Sequence, residues 1–579
     1  MSHLVELGAG VAVVVLLRRA YRAVAQWRQC LRRLEESAFD LPTPRLEAIV
    51  SDISELFRKG LEGERGGLFM GPCYLAAYPD GWEEGVYYAI DLGGTTFRVL
   101  RVVLGAERGR VEDYWVREVA VPKEVLHVTD TNLVEFMAKA FAKHYREAER
   151  EAAKKTARGD AGRGGGPTRG DAGSGGAPPS GDAGRGGASS RGSAPAPSAR
   201  PLTIGFCFSY AFSQTSPHNA FLECWTKAFR GDGLIGKDVV AALEAALRRE
   251  GLEVRVGAVV NDTVATLFAS LYRDPETALG VILGTGTNAA ALLPADEVRD
   301  ADWRAFHRKA VAALQANGRG DAAGAGAPAD GAASSTASHL SASAALFASR
   351  AAINTEWGDA YSHSFATTPE DAWLDAASPN PGRGLLEKQV SGMYLGEVVR
   401  RVLVCLDEQS ALFGGQASAA LLQEPFSLSS AAVAAIHADD SPRLDATGLA
   451  LAPYGATSLR ARKVVKAACE AVARRSARVA AAAVVAGLRR SGWSAGEEGG
   501  REGAPGAGEA QARSSVTVAV DGSVFSKFAG YRVMVAQALE DILGTKAAER
   551  VRMRYCPDGS GLGAAYLAAA ADRAGVART

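Results

Sequence analysis

The chain has 579 residues, 47% hydrophobic and 22% charged, with 65 basic and 65 acidic side chains that cancel to a formal net charge of zero. That length suits two or more domains with large cores, and the neutral balance removes any global argument for a nucleic-acid partner. Seven scattered cysteines without a Cys-x-x-Cys pair point to neither a zinc site nor a disulfide framework, so a reducing compartment such as the cytosol is the simplest setting.

Leu4 to Leu17 is apolar apart from Glu6, and Arg18, Arg19, Arg22, Arg28, Arg32 and Arg33 follow. The run falls short of the ~20 residues that span a bilayer, although flanking arginines lengthen its reach by snorkelling. Only His3 could supply the positive charge that a secretory signal carries before its apolar run, and the basic residues after the run favour an anchor whose C-terminal side faces the cytoplasm. The alternative is an amphipathic helix packed on the domain or lying on a membrane surface. Residues 1–35 are read as this apolar and basic anchor segment.

Tyr87 to Ile90 is apolar, and so is most of Phe97 to Leu104; between them lies Asp91-Leu92-Gly93-Gly94-Thr95-Thr96. The pattern predicts strand, tight glycine turn, strand, closed as a hairpin. Two glycines let backbone N–H groups approach a bulky anion. Two hydroxyls and a carboxylate beside them suit a polyphosphate and its metal ion.

Three stretches are low in complexity: Lys154 to Pro201, Ala316 to Ala345 and Trp493 to Ser515. None has enough apolar surface to offset its ordering entropy. All three are predicted as disordered surface insertions, because globular pattern resumes directly after each. Between them, Leu202–Phe208, Val254–Val260, Leu279–Leu283 and Val516–Val520 read as strands. Thr263 to Tyr272, Met393 to Phe413 and Leu459 to Leu488 read as helices. Interleaved strands and helices define an α/β class.

Several residues at strand ends carry chemistry. Asn261-Asp262-Thr263 sits where a buried strand gives way to a helix. Asp262 by itself reads as a helix N-cap, yet strand ends are also where α/β proteins place reactive groups. A carboxylate there suits acceptance of a hydroxyl proton during phosphoryl transfer. Gly284-Thr285-Gly286-Thr287-Asn288 is a second glycine turn after a strand, and Asp521-Gly522-Ser523 and Gly559-Ser560-Gly561 add two more turns. Neither a Walker loop nor a dinucleotide Gly-x-Gly-x-x-Gly is present. Lys227 lies between large apolar residues in Trp225-Thr226-Lys227-Ala228-Phe229. With Ser209, Asn288, Glu356 and Glu387 the chain holds a set of side chains suited to a polyhydroxylated ligand.

In this order the motifs resemble the eukaryotic hexokinases, two-lobed sugar kinases with the actin-like ATPase fold and a central cleft. The stretches that carry the resemblance are Tyr88 to Leu100, Ile204 to Ser209 with Trp225 to Lys227, and Val260 to Thr266. Leu283 to Asn288, Asn354 to Gly358, Ser391 to Glu397, Val520 to Phe525 and Asp558 to Ala565 complete the series. The resemblance implies a helical part of the large lobe at 36–85, a small lobe at 86–261, a large lobe at 262–555, and a C-terminal helix at 556–579 returning to the small lobe. It implies Asp262 as the catalytic base and Lys227 as its aid. It assigns Ser209, Thr226, Lys227, Asn261, Asp262, Asn288, Glu356 and Glu387 to the sugar. It assigns Gly93, Gly94, Thr95, Arg98, Thr285, Gly286, Gly522, Ser523 and Gly561 to ATP. Asp91 is placed beside Mg2+, directly or through water.

The implied reaction moves the γ-phosphoryl of Mg-ATP to the 6-hydroxyl of a hexose, the entry step of glycolysis. Glucose is the first candidate, with mannose and fructose beside it. The alternative is a non-catalytic sugar sensor; a membrane scaffold is a third reading. The N-terminus is similar to that of plant and algal members attached to the mitochondrial outer membrane, with a cytosolic catalytic part. A monomer is expected. Four positions depart from the family pattern. Thr96 stands in place of Asn, Tyr210-Ala211 in place of Phe-Pro, Ala228 in place of Gly, and Arg474 in place of Thr. Arg474 is either a contact to ATP phosphate or a solvated helix residue.

Overall fold

The computed structural model describes residues 39, 41–94, 96–161, 201–225, 229–324, 342–365, 367–410, 412–413, 421, 423–455, 457–494 and 515–575. The N-terminal anchor segment and most of the three low-complexity stretches lie outside the described residues. So do Thr95, Thr226, Lys227 and Ala228. Among the described residues, no helix is long and apolar enough to cross a membrane.

The strands in chain order begin with β1 (Gly71–Pro72), β2 (Gly85–Leu92), β3 (Thr96–Leu104), β4 (Val111–Ala120) and β5 (Leu202–Phe208). Next come β6 (Ala211–Ser213), β7 (Phe221–Cys224), β8 (Val254–Val260), β9 (Thr277–Leu283) and β10 (Thr287–Pro294). The last three are β11 (Arg350–Asn354), β12 (Val516–Asp521) and β13 (Val551–Tyr555). They form a five-stranded sheet in the order β4-β3-β2-β5-β8, a six-stranded sheet in the order β1-β11-β10-β9-β12-β13, and the short pair β6-β7. β2 and β3 form the expected antiparallel hairpin, with Asp91 opposite Arg98. β5 lies parallel between β2 and β8. Its final five residues are all buried, as a central parallel strand covered on both faces requires. β4, at the sheet edge, is instead mostly half-buried or exposed and carries Glu112, Asp113, Arg117 and Glu118, which discourage pairing with another chain.

The helices pack by small residues. The Asp262–Leu271 helix follows β8 and the Gly559–Arg573 helix follows β13. The two cross where a Cβ on Gly563 would sit 1.7 Å from the Ala265 carbonyl oxygen, so only glycine fits. The C-terminal helix also lies against β5, with the Ala564 carbonyl over Gly205. It thus shares one core with the inner face of the small sheet. The Thr43–Leu61 helix joins the core of the larger sheet through Leu46, Ile49, Ile53 and Phe57. The Leu459–Arg490 helix, capped by Ser458, runs through that same core on buried alanines and valines.

The insertions begin later than their composition implies. The Asn132–Ala161 helix runs past Lys154, and the Ala301–Gly324 helix runs past Ala316. Helix returns at 342–349, ahead of Ala345. Alanine and lysine favour helix however simple the surrounding sequence, so these edges extend helices already nucleated by packing. Trp493, at the edge of the third stretch, is buried and donates its main-chain N–H to the Leu488 carbonyl at 3.1 Å.

Candidate active site

The ends of β2, β5 and β8 bring Asp91, Ser209, Asn261 and Asp262 to one edge of the small sheet. Asn261, not Asp262, caps the helix: its side chain accepts the Thr263 N–H at 3.1 Å and the Thr263 hydroxyl at 2.9 Å. This corrects the simplest sequence reading of Asp262. Because Asn261 takes the capping work, the Asp262 carboxylate stands in the first helical turn without that duty. The positive end of the helix dipole favours a negative charge there. Ser209 is buried, with its N–H on the Leu92 carbonyl at 3.3 Å, so it is held to the phosphate-turn strand.

From the larger sheet comes a polar chain that sequence reading only partly foresaw. The Asn288 amide donates to the Asn354 Oδ1 at 2.9 Å, and the Asn354 amide donates to Glu356 Oε1 at 2.7 Å. Asn354 was not a sequence candidate; its signal is that it ends β11 directly opposite Ala290 on β10. Glu356 has φ of 49°, a left-handed conformation strained for glutamate, as is common at functional sites. Burial pushes its carboxyl up to about 7. The Asn354 hydrogen bond opposes this, and the charges of Asp262, Asp359 and Glu387 add to it. Asp262 and Glu356, from different sheets, are therefore close enough to feel each other. Glu387 Oε2 accepts the Thr287 N–H at 3.2 Å, and a Cβ on Gly286 would meet that same oxygen at 2.8 Å. The second glycine turn thus touches the Glu387 carboxylate at a position where any larger residue would push that carboxylate aside. Trp357 locks the turn further by donating its indole N–H to Thr287 Oγ1 at 3.1 Å.

A second cluster surrounds Arg98. Its guanidinium pairs with Asp91 at 2.5 Å and Asp558 at 3.2 Å and donates to Ser560 Oγ at 3.0 Å. Ser560 in turn donates to Asp91 at 2.8 Å. Burial pushes the Asp521 carboxyl up to about 6, against the pull of Arg98. Asp521, Asp558 and Ser560 were not sequence candidates. The signal for them is the repeated Asp-Gly-Ser at 521–523 and 558–560. Gly522 has φ of 113° and lies against the Leu283 carbonyl, so the 521–523 and 284–286 turns adjoin. Thr285 and Ser523 are exposed beside them. Gly561 is placed differently: it is buried, and a Cβ there would strike Leu100. It packs the C-terminal helix on β3, leaving Asp558 and Ser560 as the groups of that segment that reach the cluster. Arg474 is exposed on its helix, and its neighbour Arg475 is buried on Asp371 at 2.6 and 2.8 Å.

Two sheets of like order, each with a glycine turn, and a carboxylate at a helix start within electrostatic reach of buried Glu356 suit a two-part phosphotransferase. Hexokinase family models match residues 32–272 and 278–570. Hexokinase-1 of Oryza sativa subsp. japonica is 37% identical over 560 residues, 95% of this chain and 91% of that one. Hexokinase-7 of the same organism is 34% identical over 552 residues, 95% of this chain and 98% of that one. Among solved structures, a Schistosoma mansoni hexokinase complexed with glucose aligns with a TM-score of 0.68 and 27% identity, covering 94% of this chain and 99% of that one. The chain belongs to the hexokinase family.

Proposed function

We propose that this hexokinase transfers the γ-phosphoryl of ATP to the 6-hydroxyl of a hexose, D-glucose first and mannose and fructose beside it, yielding hexose 6-phosphate and ADP. The observation that carries the reading is Asp262, relieved of capping by Asn261 and within electrostatic reach of Glu356 from the other sheet. Asp262 accepts the hydroxyl proton late in the transfer, and positioning does most of the rest. Glu356 and Glu387 accept sugar hydroxyls, while Asn288 and Ser209 offer both donors and acceptors. Thr226 and Lys227 enter through their motif alone, Lys227 as a cation near the reacting hydroxyl.

On the nucleotide side, Gly93, Gly94, Thr95, Thr285, Gly286, Gly522 and Ser523 supply main-chain and hydroxyl donors to phosphate. The donor set fits Mg2+, a hard cation that takes one or two carboxylates and completes its shell with phosphate and water. Asp91, 1% exposed and already facing a cation in Arg98, is the residue to hold it, with Asp521 next to it. Bound there, the ion would neutralise charge on the transferring phosphates. Arg98, beside Asp91, would add its positive charge to the phosphate side of the site. Closure of the 86–261 lobe onto the 262–555 lobe expels water, which otherwise competes with the hexose. The N-terminal segment is proposed to tether the enzyme to the mitochondrial outer membrane with its catalytic part in the cytosol.

The test follows ADP release by the chain lacking residues 1–35, given Mg-ATP and each hexose in turn. Turnover is expected with glucose. Sugar binding by calorimetry without any turnover would overturn the enzyme in favour of a sensor. For the tether, a fluorescent fusion lacking residues 1–24 is expected to leave the membrane fraction; no redistribution discards it.

A further inference from the structure

We propose that the Tyr210 phenol is a positioning group for the nucleotide half of the site: it holds the Gly93 carbonyl and so aims the Gly94 N–H into the phosphate cradle. Tyr210 is 2% exposed and packs against the rings of Phe208, Trp225 and Phe229, with centroids 5.1, 5.1 and 5.4 Å away. Its hydroxyl donates to the Gly93 carbonyl at 2.5 Å. The Gly93 N–H donates to the Thr96 carbonyl at 3.0 Å. Both main-chain polar groups of Gly93 are therefore committed.

The direction follows from peptide geometry. None of the described peptide bonds is cis, and in a planar trans peptide the C=O and the following N–H point opposite ways. Drawing the Gly93 carbonyl toward the buried aromatic cluster turns the Gly94 N–H outward. Phenylalanine, the usual family residue here, has no group to do this. The second turn uses the same device by other means: the carbonyl of Gly284, the glycine of the matching Leu-Gly step, accepts the Gly392 N–H at 2.8 Å. Of the departures from the family pattern, the Tyr210 side chain is the one that ends on Gly93; Thr96 meets it only through its main-chain carbonyl. Through Trp225 the same tyrosine also touches the segment that leads to Thr226 and Lys227, so it joins the sugar and nucleotide halves of the small sheet.

The inference rests on the reading of the Gly93 turn as an ATP-phosphate site. Tyr210→Phe in the full chain keeps the ring, is the residue the family usually carries, and removes only the hydroxyl. Steady-state rates would give KM for Mg-ATP and for glucose, and calorimetry would give Kd for Mg-ADP and for glucose alone. Loss of one hydrogen bond that orients a donor predicts a rise of roughly threefold to tenfold in KM for Mg-ATP and Kd for Mg-ADP, with glucose Kd unchanged within about twofold. A hydroxyl that serves stability alone would lower Tm and leave the ratio of the two KM values where it was; that result overturns the proposal. If the unmodified chain binds no Mg-ADP, the nucleotide reading of the turn fails and the proposal fails with it. Normal binding by the unmodified chain and no change in Tyr210→Phe overturns the proposal alone.

Discussion

The small sheet runs β4-β3-β2-β5-β8, and the large sheet, leaving aside the short β1, runs β11-β10-β9-β12-β13. Both pair an antiparallel meander with two parallel strands, and both send a helix out of the last strand. The first strand of each ends in Leu-Gly, Leu92-Gly93 in one and Leu283-Gly284 in the other. One residue earlier the two part: Asp91 against Ile282. At the last helix they part again. Asn261 caps the first and leaves Asp262 to the cleft, whereas Asp558, in a left-handed turn, pairs with Arg98. On the proposed reading, the same plan carries a base and a metal carboxylate in one half and the closing side of a nucleotide pocket in the other. The scaffold sets where strand ends meet; single residues at those ends set what each half does.

The hardest test of this division is Asp262→Ala. Turnover is expected to fall roughly 10²-fold to 10⁴-fold with hexose binding retained; near-normal initial rates would remove Asp262 as the base. Next comes the Asp91 and Ile282 pair. Asp91→Asn is expected to cost about 10²-fold in kcat/KM for ATP and to raise the Mg2+ concentration needed for half-maximal rate, because it strips the carboxylate from the cation site. Ile282→Ala at the matching place is expected to change rates less than about threefold and to act on thermal stability instead. Equal rate losses would break the asymmetry between halves.

A smaller effect is expected from Gly286→Ala. Its Cβ falls 2.8 Å from Glu387 Oε2, so the carboxylate must move. The KM for glucose should rise about tenfold and that for ATP less if Glu387 faces the sugar as proposed; a change confined to ATP would reassign the second turn to the nucleotide alone. The mildest test is the pH response of Glu356. Its carboxyl titrates near 7 when folded against an ordinary value of 4.5. Between those values the folded chain keeps a proton that the unfolded chain releases, so this group makes stability fall as pH rises from about 4.5 to about 7 and stay level above. Glu356→Gln should raise Tm by a few degrees at pH 8 relative to the unmodified chain and leave it unchanged near pH 4. Glucose affinity of the unmodified chain should strengthen as pH rises through about 7, because the ionised carboxylate accepts hydroxyls more strongly. A flat glucose affinity over that range would place Glu356 outside the sugar site.

Much of the fold was legible. Leu202–Phe208 and Val254–Val260 are strands with the bounds their apolar runs predict, and the Gly93 hairpin forms as read. What escaped was decided by partners distant in the chain. Asn261 and Asp262 are both competent caps, and only the helix start distinguishes them. Asn354 matters because β11 carries it to Asn288, 66 positions away. Asp558 and Ser560 matter because the C-terminal helix brings them to Arg98, more than 400 positions away. Gly561, expected at the nucleotide, also has a packing reason to be glycine, because Leu100 occupies the space a Cβ would take.

Local pattern determined the strands, the two glycine turns, the family and the order of its motifs, because these depend on periodicity and on residues adjacent in the chain. Tertiary packing alone decided which carboxylate stands free, which is shared with Arg98, and which way the Gly93 peptide faces. Those outcomes depend on burial and on donors delivered from other strands, and a hydrogen bond between Tyr210 and Gly93 has no local signature across the 117 positions between them.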